Sequence, residues 1–211
     1  MELRVEKNIL YIATALVLAG LVFGFAYYGF TYYKAAHSAK AYDVFMQHYS
    51  EFEKQTSDNK APSNDLIDAV SASYQEYKNS AYGPFLIALK AEIQAVQGNK
   101  QDALSSMTQA VSSMGFLDPV LYYTYATKLA LMQLDAAEPA IQTKGRQSLE
   151  KLSLQSKNPV RDMAWFYIGY QALLDNDNQG VQAAWSRLFD AQKNPLSVWG
   201  MRAQQLLNYT A

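Results

Sequence analysis

Apolar residues follow two patterns along this chain. The first is a continuous block: Ile9 to Tyr33 holds 25 residues without a charge. As a helix rising about 1.5 Å per residue it is roughly 37 Å long, enough to cross a hydrocarbon core about 30 Å thick with some tilt. Tyr11 near one end and Tyr27, Tyr28, Tyr32 and Tyr33 near the other suit the two aromatic interface belts, and Lys34 closes the span. The second pattern is recurrence at three- and four-residue steps, the period of an amphipathic helix. It begins with Tyr42, Phe45, Met46, Tyr49 and Phe52, which share one face.

Polar breaks then divide the chain. Ser57 to Asn64 contains Pro62 and reads as a loop, and a short helix follows from Asp65 to Lys78. Tyr82 to Val96 is a helix, Gly98-Asn99-Lys100 its turn, and Gln101 to Met114 the return. Val120 to Leu134 is the next helix, followed by a looser stretch around Pro139 and Gly145, with Arg146 to Gln155 returning. Met163 to Leu174 runs out, Gly180 to Ala191 returns, and Ser197 to Leu207 is last. No segment shows sustained strand alternation.

Paired helices of about 12–16 residues separated by turns are the signature of helix-hairpin repeats. Trp165, Ile168, Gly169 and Ala172 follow the tetratricopeptide pattern W-x2-L-G-x2-Y with two conservative departures. In that register the turn falls at Asn176, with Val181 at the usual alanine position and Trp185 and Leu188 on the return helix. One unit earlier the turn falls at Gly98, and Ala103, Met107 and Ala110 occupy small–large–small contact positions. The expected fold is therefore all-α: residues 1–8 as a short tail, 9–33 as a transmembrane helix, and 34–211 as a tetratricopeptide-like α-solenoid.

A cleaved signal peptide is the rival reading of the apolar block, but its apolar region runs to only about 7–15 residues. Glu2 and Glu6 also sit where a signal peptide carries positive charge. Arg4 and Lys7 precede the span while Lys34 and Lys40 follow it, so charge alone gives only a weak preference for a cytoplasmic N-terminus. Gly20 and Gly24 lie one turn apart and form a candidate helix-packing face within the span.

Composition narrows the function. Net charge is -1, and removing Glu2, Arg4, Glu6 and Lys7 leaves 16 basic and 17 acidic residues, interspersed. No basic stripe is available to neutralise phosphates, so nucleic acid is not an expected partner. With no cysteine, disulfides, thiolate metal sites and cysteine nucleophiles are excluded. Asp175-x-Asp177-x-Gln179-Gly180 opens like a calcium loop, but Ser186 stands at the twelfth position where a bidentate glutamate is needed; it reads as a polar turn. His37 and His48 are too far apart for a metal-binding pair, and Glu51 and Glu53 face different directions on a helix. No Walker loop, dinucleotide fingerprint or G-x-S-x-G is present. Neither an enzyme nor a cofactor is expected, and no metal.

A binding surface remains. In stacked repeats the first helix of each hairpin lines a concave groove. The register assigns Phe85, Ala88 and Glu92 to it from one unit, Tyr122 and Tyr125 from the next, and Phe166, Tyr170 and Leu173 from the last. Aromatic side chains on a rigid face bury much area with little rotamer entropy, which suits capture of peptide segments.

The segment from Leu173 to Trp185 (LLDNDNQGVQAAW) resembles the last repeat of the YfgM family, and Ala81-Tyr82-Gly83 opening a helix that carries Ala88 and Ala91 resembles its first well-formed repeat. The layout of short N-terminus, one span and a helical domain is similar too. The chain departs from that pattern at Asn176, where glycine is usual, and at Val181. The resemblance implies an ancillary subunit of the SecYEG translocon in the bacterial inner membrane. Its N-terminus would be cytoplasmic and its domain periplasmic, linking exported polypeptides to periplasmic chaperones. Partners would be proteins, with lipid around residues 9–33, and a homo-oligomer is compatible. The competing expectation is a structural subunit of another membrane assembly that uses the repeats as a packing surface.

Overall fold

The computed structural model describes residues 2–57, 60–115, 118–189 and 197–210, with side chains from residue 29 to residue 208 within those ranges. The described residues form helices and turns, with no strand among them. The order is α1 (Glu2–Ser57), α2 (Asn64–Tyr77), α3 (Gly83–Val96), α4 (Lys100–Ser113), α5 (Pro119–Leu134), α6 (Pro139–Leu154), α7 (Arg161–Leu174), α8 (Asn178–Trp185) and α9 (Val198–Thr210). Of the expected membrane span, residues 9–28 lie outside the residues whose side chains are described, as do Gly20 and Gly24. Among the described residues no helix is long and apolar enough to cross a membrane.

Local chemistry sets the boundaries. Ser63 caps α2 by accepting from the Leu66 N–H at 3.3 Å, and Asp118 caps α5 at 2.8 Å from the Val120 N–H, with Pro119 opening the helix. Two hairpins turn through the left-handed region, at Gly98 (φ 84°) after α3 and at Asn176 (φ 57°) after α7. Asparagine is among the few non-glycine residues that adopt this conformation readily. Asn176 therefore reverses the chain after α7 as Gly98 does after α3.

The strongest packing is within the hairpins α3–α4, α5–α6 and α7–α8, and the remaining substantial contacts join helices one or two apart along the chain. The core is accordingly a row of adjoining clusters. Ala88, Met107, Ala110 and Met114 are fully buried between α3 and α4, and Ala103 is within 1 % of that. Phe166, Val181, Ala184, Trp185 and Leu188 fill the C-terminal cluster. This nearest-neighbour layering is that of a helical array.

Two expectations need correction. The stretch around Pro139 and Gly145 is not loose: α6 begins at Pro139 and Gly145 is buried inside it. A Cβ at Gly145 would sit 2.8 Å from the Ala130 carbonyl oxygen and 2.8 Å from the Leu134 nitrogen, so the glycine is there to let α6 touch the backbone of α5. The return helix α8 also stops at Trp185, well short of Ala191, giving way to a turn.

Gly169 plays the same part on α7, where an added Cβ would collide with the indole of Trp185. That indole is 1 % exposed and donates from Nε1 to the Phe166 carbonyl at 3.0 Å. Gly169→Ala and Gly145→Ala are each expected to destabilise the domain by about 1–3 kcal/mol, the usual penalty for overpacking. Gly115→Ala, with open space around it, is expected to stay within about 0.5 kcal/mol. Urea midpoints of the three variants check this.

Candidate protein-binding groove

A groove of about 330 Å³ opens between α1, α3 and α5. Each helix contributes by its 3.6-residue period. Phe45, Met46 and Tyr49 come from α1, Phe85, Leu89 and Glu92 from α3, and Leu121, Tyr125 and Lys128 from α5. Alternate helices lining one trough is the arrangement expected of the inner face of a helical array.

Aromatic rings form its apolar surface. Phe45 and Phe85 lie 6.0 Å apart at 57°, and Phe85 meets Tyr125 edge-on at 5.9 Å and 69°. These separations fall in the favourable range for ring pairs. Beside them Lys128 donates to Glu92 at 2.5 Å and lies 5.1 Å over the Tyr125 ring. The pair places one charge of each sign at the groove, so an occupant meets a local dipole.

Burial, followed by the Glu92 carboxylate and Tyr49, pushes the Tyr125 phenol up to about 12. The Tyr49 phenol is raised mainly by its hydrogen bond to Glu53. Behind α1, His48 shares a 2.9 Å hydrogen bond with Ser73 of α2, and burial lowers its pKa. His37 stacks between Tyr33 and Tyr77 at 5.8 and 5.0 Å.

The structure places the residues assigned from sequence in different surroundings. Phe85, Glu92 and Tyr125 come together in this groove. Ala88 is 0 % exposed in the α3–α4 core, and Tyr122 faces a second groove between α4, α5 and α6. Phe166 is 7 % exposed, packed under Trp185 and Trp199, and Leu173 is half-buried in the same cluster. Tyr170 is 38 % exposed and stacks on Phe166 at 6.2 Å, away from the groove. Sequence reasoning missed the α1 contribution, although Phe45, Met46 and Tyr49 had already been placed on one face. It also missed Lys128, whose partner Glu92 lies 36 residues away. No local spacing signals such a pair.

No cluster of three or more His, Cys, Asp or Glu side chains suited to a metal occurs among the described residues. In the Asp175–Gly180 turn, Asp177 caps α8 by accepting from the Gly180 N–H at 2.9 Å, while Asp175 pairs with Arg146 at 3.4 Å. Compared with known protein families, curated proteins and solved structures, the chain matches none.

The raised Tyr125 pKa makes stability depend on pH at the alkaline end. Between pH 10 and about 12 the unfolded chain releases this proton while the folded chain holds it. Stability from the group is complete below pH 10 and is lost as pH rises, by about 2–3 kcal/mol in all. Tyr125→Phe is expected to flatten that loss in urea titrations compared between pH 9 and pH 11.5.

Proposed function

We propose that this chain is a membrane-anchored scaffold that binds other proteins in the α1–α3–α5 groove. The observation that carries it is the groove's construction: three alternate helices present aromatic rings around an open trough. Such a surface captures polypeptide segments through apolar anchors placed on a rigid frame. The uncharged run from Ile9 to Tyr33 supports one membrane-spanning helix at the start of α1. The tetratricopeptide register of α7 and α8, with its turn at Asn176, supports reading the array as repeats of that type.

The resemblance of residues 173–185 and 81–83 to YfgM-family repeats, together with the layout, supports a more specific role. In that role the protein is an ancillary subunit of the SecYEG translocon, with its N-terminus in the cytoplasm and its domain in the periplasm. The groove would hold segments of chaperones or of exported polypeptides.

A photo-cross-linker at Leu121, on the groove and 39 % exposed, tests this in native membranes. Adducts are expected to contain translocon subunits, chaperones or exported chains. Met46→Glu, which places an unpaired charge at the trough, is expected to lower adduct yield by about tenfold, as loss of a hot-spot contact does. Stable stoichiometric adducts with an assembly unrelated to secretion would instead favour the structural-subunit reading. Protease accessibility on intact spheroplasts checks the topology.

A further inference from the structure

A second groove lies on a different face of α5. It measures about 260 Å³ and runs between α4 and α6, with α5 as its floor. Val111, Ala126, Leu129 and Leu152 supply an apolar, half-buried floor. Lys144 and Lys151 stand on its α6 rim, both exposed. They are seven residues apart, two helical turns, which puts them on one line about 10 Å in length.

The rim's two cations differ from three basic residues near them. Lys128 on α5 is paired with Glu92, Lys100 with Asp135 and Arg146 with Asp175. Lys144 and Lys151 have no carboxylate within ion-pair reach among the described residues. Glu150, their neighbour in sequence, lines the cavity on the other side of α6, beside Arg146 and Asp175. Two cations without an ion pair among the described residues therefore stand along the α6 side of a trough with an apolar floor between α4 and α6.

We propose that this trough docks an acidic amphipathic helix of a partner protein. Its apolar stripe would lie on Val111, Ala126, Leu129 and Leu152. Two carboxylates about seven residues apart would meet Lys144 and Lys151. Helix-in-groove recognition uses apolar anchors for affinity and flanking charges for orientation and partner choice. The site is separate from the α1–α3–α5 groove, because Tyr125 and Lys128 face that one while Ala126 and Leu129 face this one. The scaffold would then hold two polypeptides at once, one on each face of α5.

A charge-swap experiment with the full chain in detergent tests this. The probe is a fluorescent helical peptide with leucines on one face and two glutamates seven residues apart beside them; a second peptide carries lysines in place of the glutamates. Binding of the glutamate peptide is expected, weakening as salt rises from about 0.05 to about 0.5 M. K144E/K151E is expected to weaken it by about tenfold or more while gaining affinity for the lysine peptide. Both positions are exposed, so the double variant should keep the wild-type circular dichroism. Met46→Glu in the other groove should leave this binding unchanged. Three results would overturn the proposal: no binding of the glutamate peptide, equal binding by the double variant, or a lysine-dependent affinity seen only with anionic phospholipid vesicles. Loss of binding in Met46→Glu would place the peptide in the first groove and also refute the second site. None of these results depends on whether the Leu121 adducts are translocon components.

Discussion

Close approach of neighbouring helices is the constraint on which the rest of this structure depends. Beyond α1 each helix is short, and each buries its apolar stripe against helices one or two places away in the chain. The approach is bought with missing or minimal side chains. Gly169 leaves the space that the Trp185 indole fills, Gly145 lets α6 touch the α5 backbone, and Ala88, Ala103 and Ala110 close α3 on α4 around Met107. Where the backbone is bare a large ring can be buried flat, and Trp185 even gains a hydrogen bond to the Phe166 carbonyl. Packing of this kind is local, so the core becomes a row of clusters.

The proposed binding surfaces follow from the same geometry. A row of hairpins has two long faces, and residues that do not serve hairpin closure are left to line them. On one face α1, α3 and α5 bring Phe45, Phe85 and Tyr125 into a chain of ring contacts beside a Glu92–Lys128 pair. On another, α4, α5 and α6 leave a trough with an apolar floor and two lysines that have no ion pair among the described residues. The first charge pair is internally neutralised and the second rim is not, which is the physical basis for assigning the faces different occupants.

The C-terminal hairpin shows the opposite outcome for a similar sequence pattern. Phe166 and Leu173 recur at helical spacing just as Phe85 and Glu92 do, yet they are packed beneath α8 and α9. The difference is the cover. The helix α9 lies against α7 and brings Trp199 onto Phe166 and Tyr167 at 5.3 and 5.6 Å. Over α3 the corresponding neighbour is α1, which brings Phe45 to 6.0 Å from Phe85 but leaves a trough open between α1, α3 and α5.

Period, turn residues and small-residue positions by themselves determined that the described residues are helical without strands, where most helices begin and end, and that Gly98 and Asn176 reverse the chain. These are local properties: a 3.6-residue repeat, a left-handed turn and a helix cap each depend on a few adjacent residues. The same reading mistook Gly145 for a break, because glycine at a turn and glycine at a helix crossing look alike until the partner backbone is in place. Only the tertiary arrangement decided which aromatic stripe is core and which is groove, that Met46 and Tyr49 of α1 line the α1–α3–α5 groove, and that Lys128 finds Glu92 while Lys144 and Lys151 find no carboxylate among the described residues. Those outcomes depend on which helices lie side by side across tens of residues, and no spacing within a single helix encodes that.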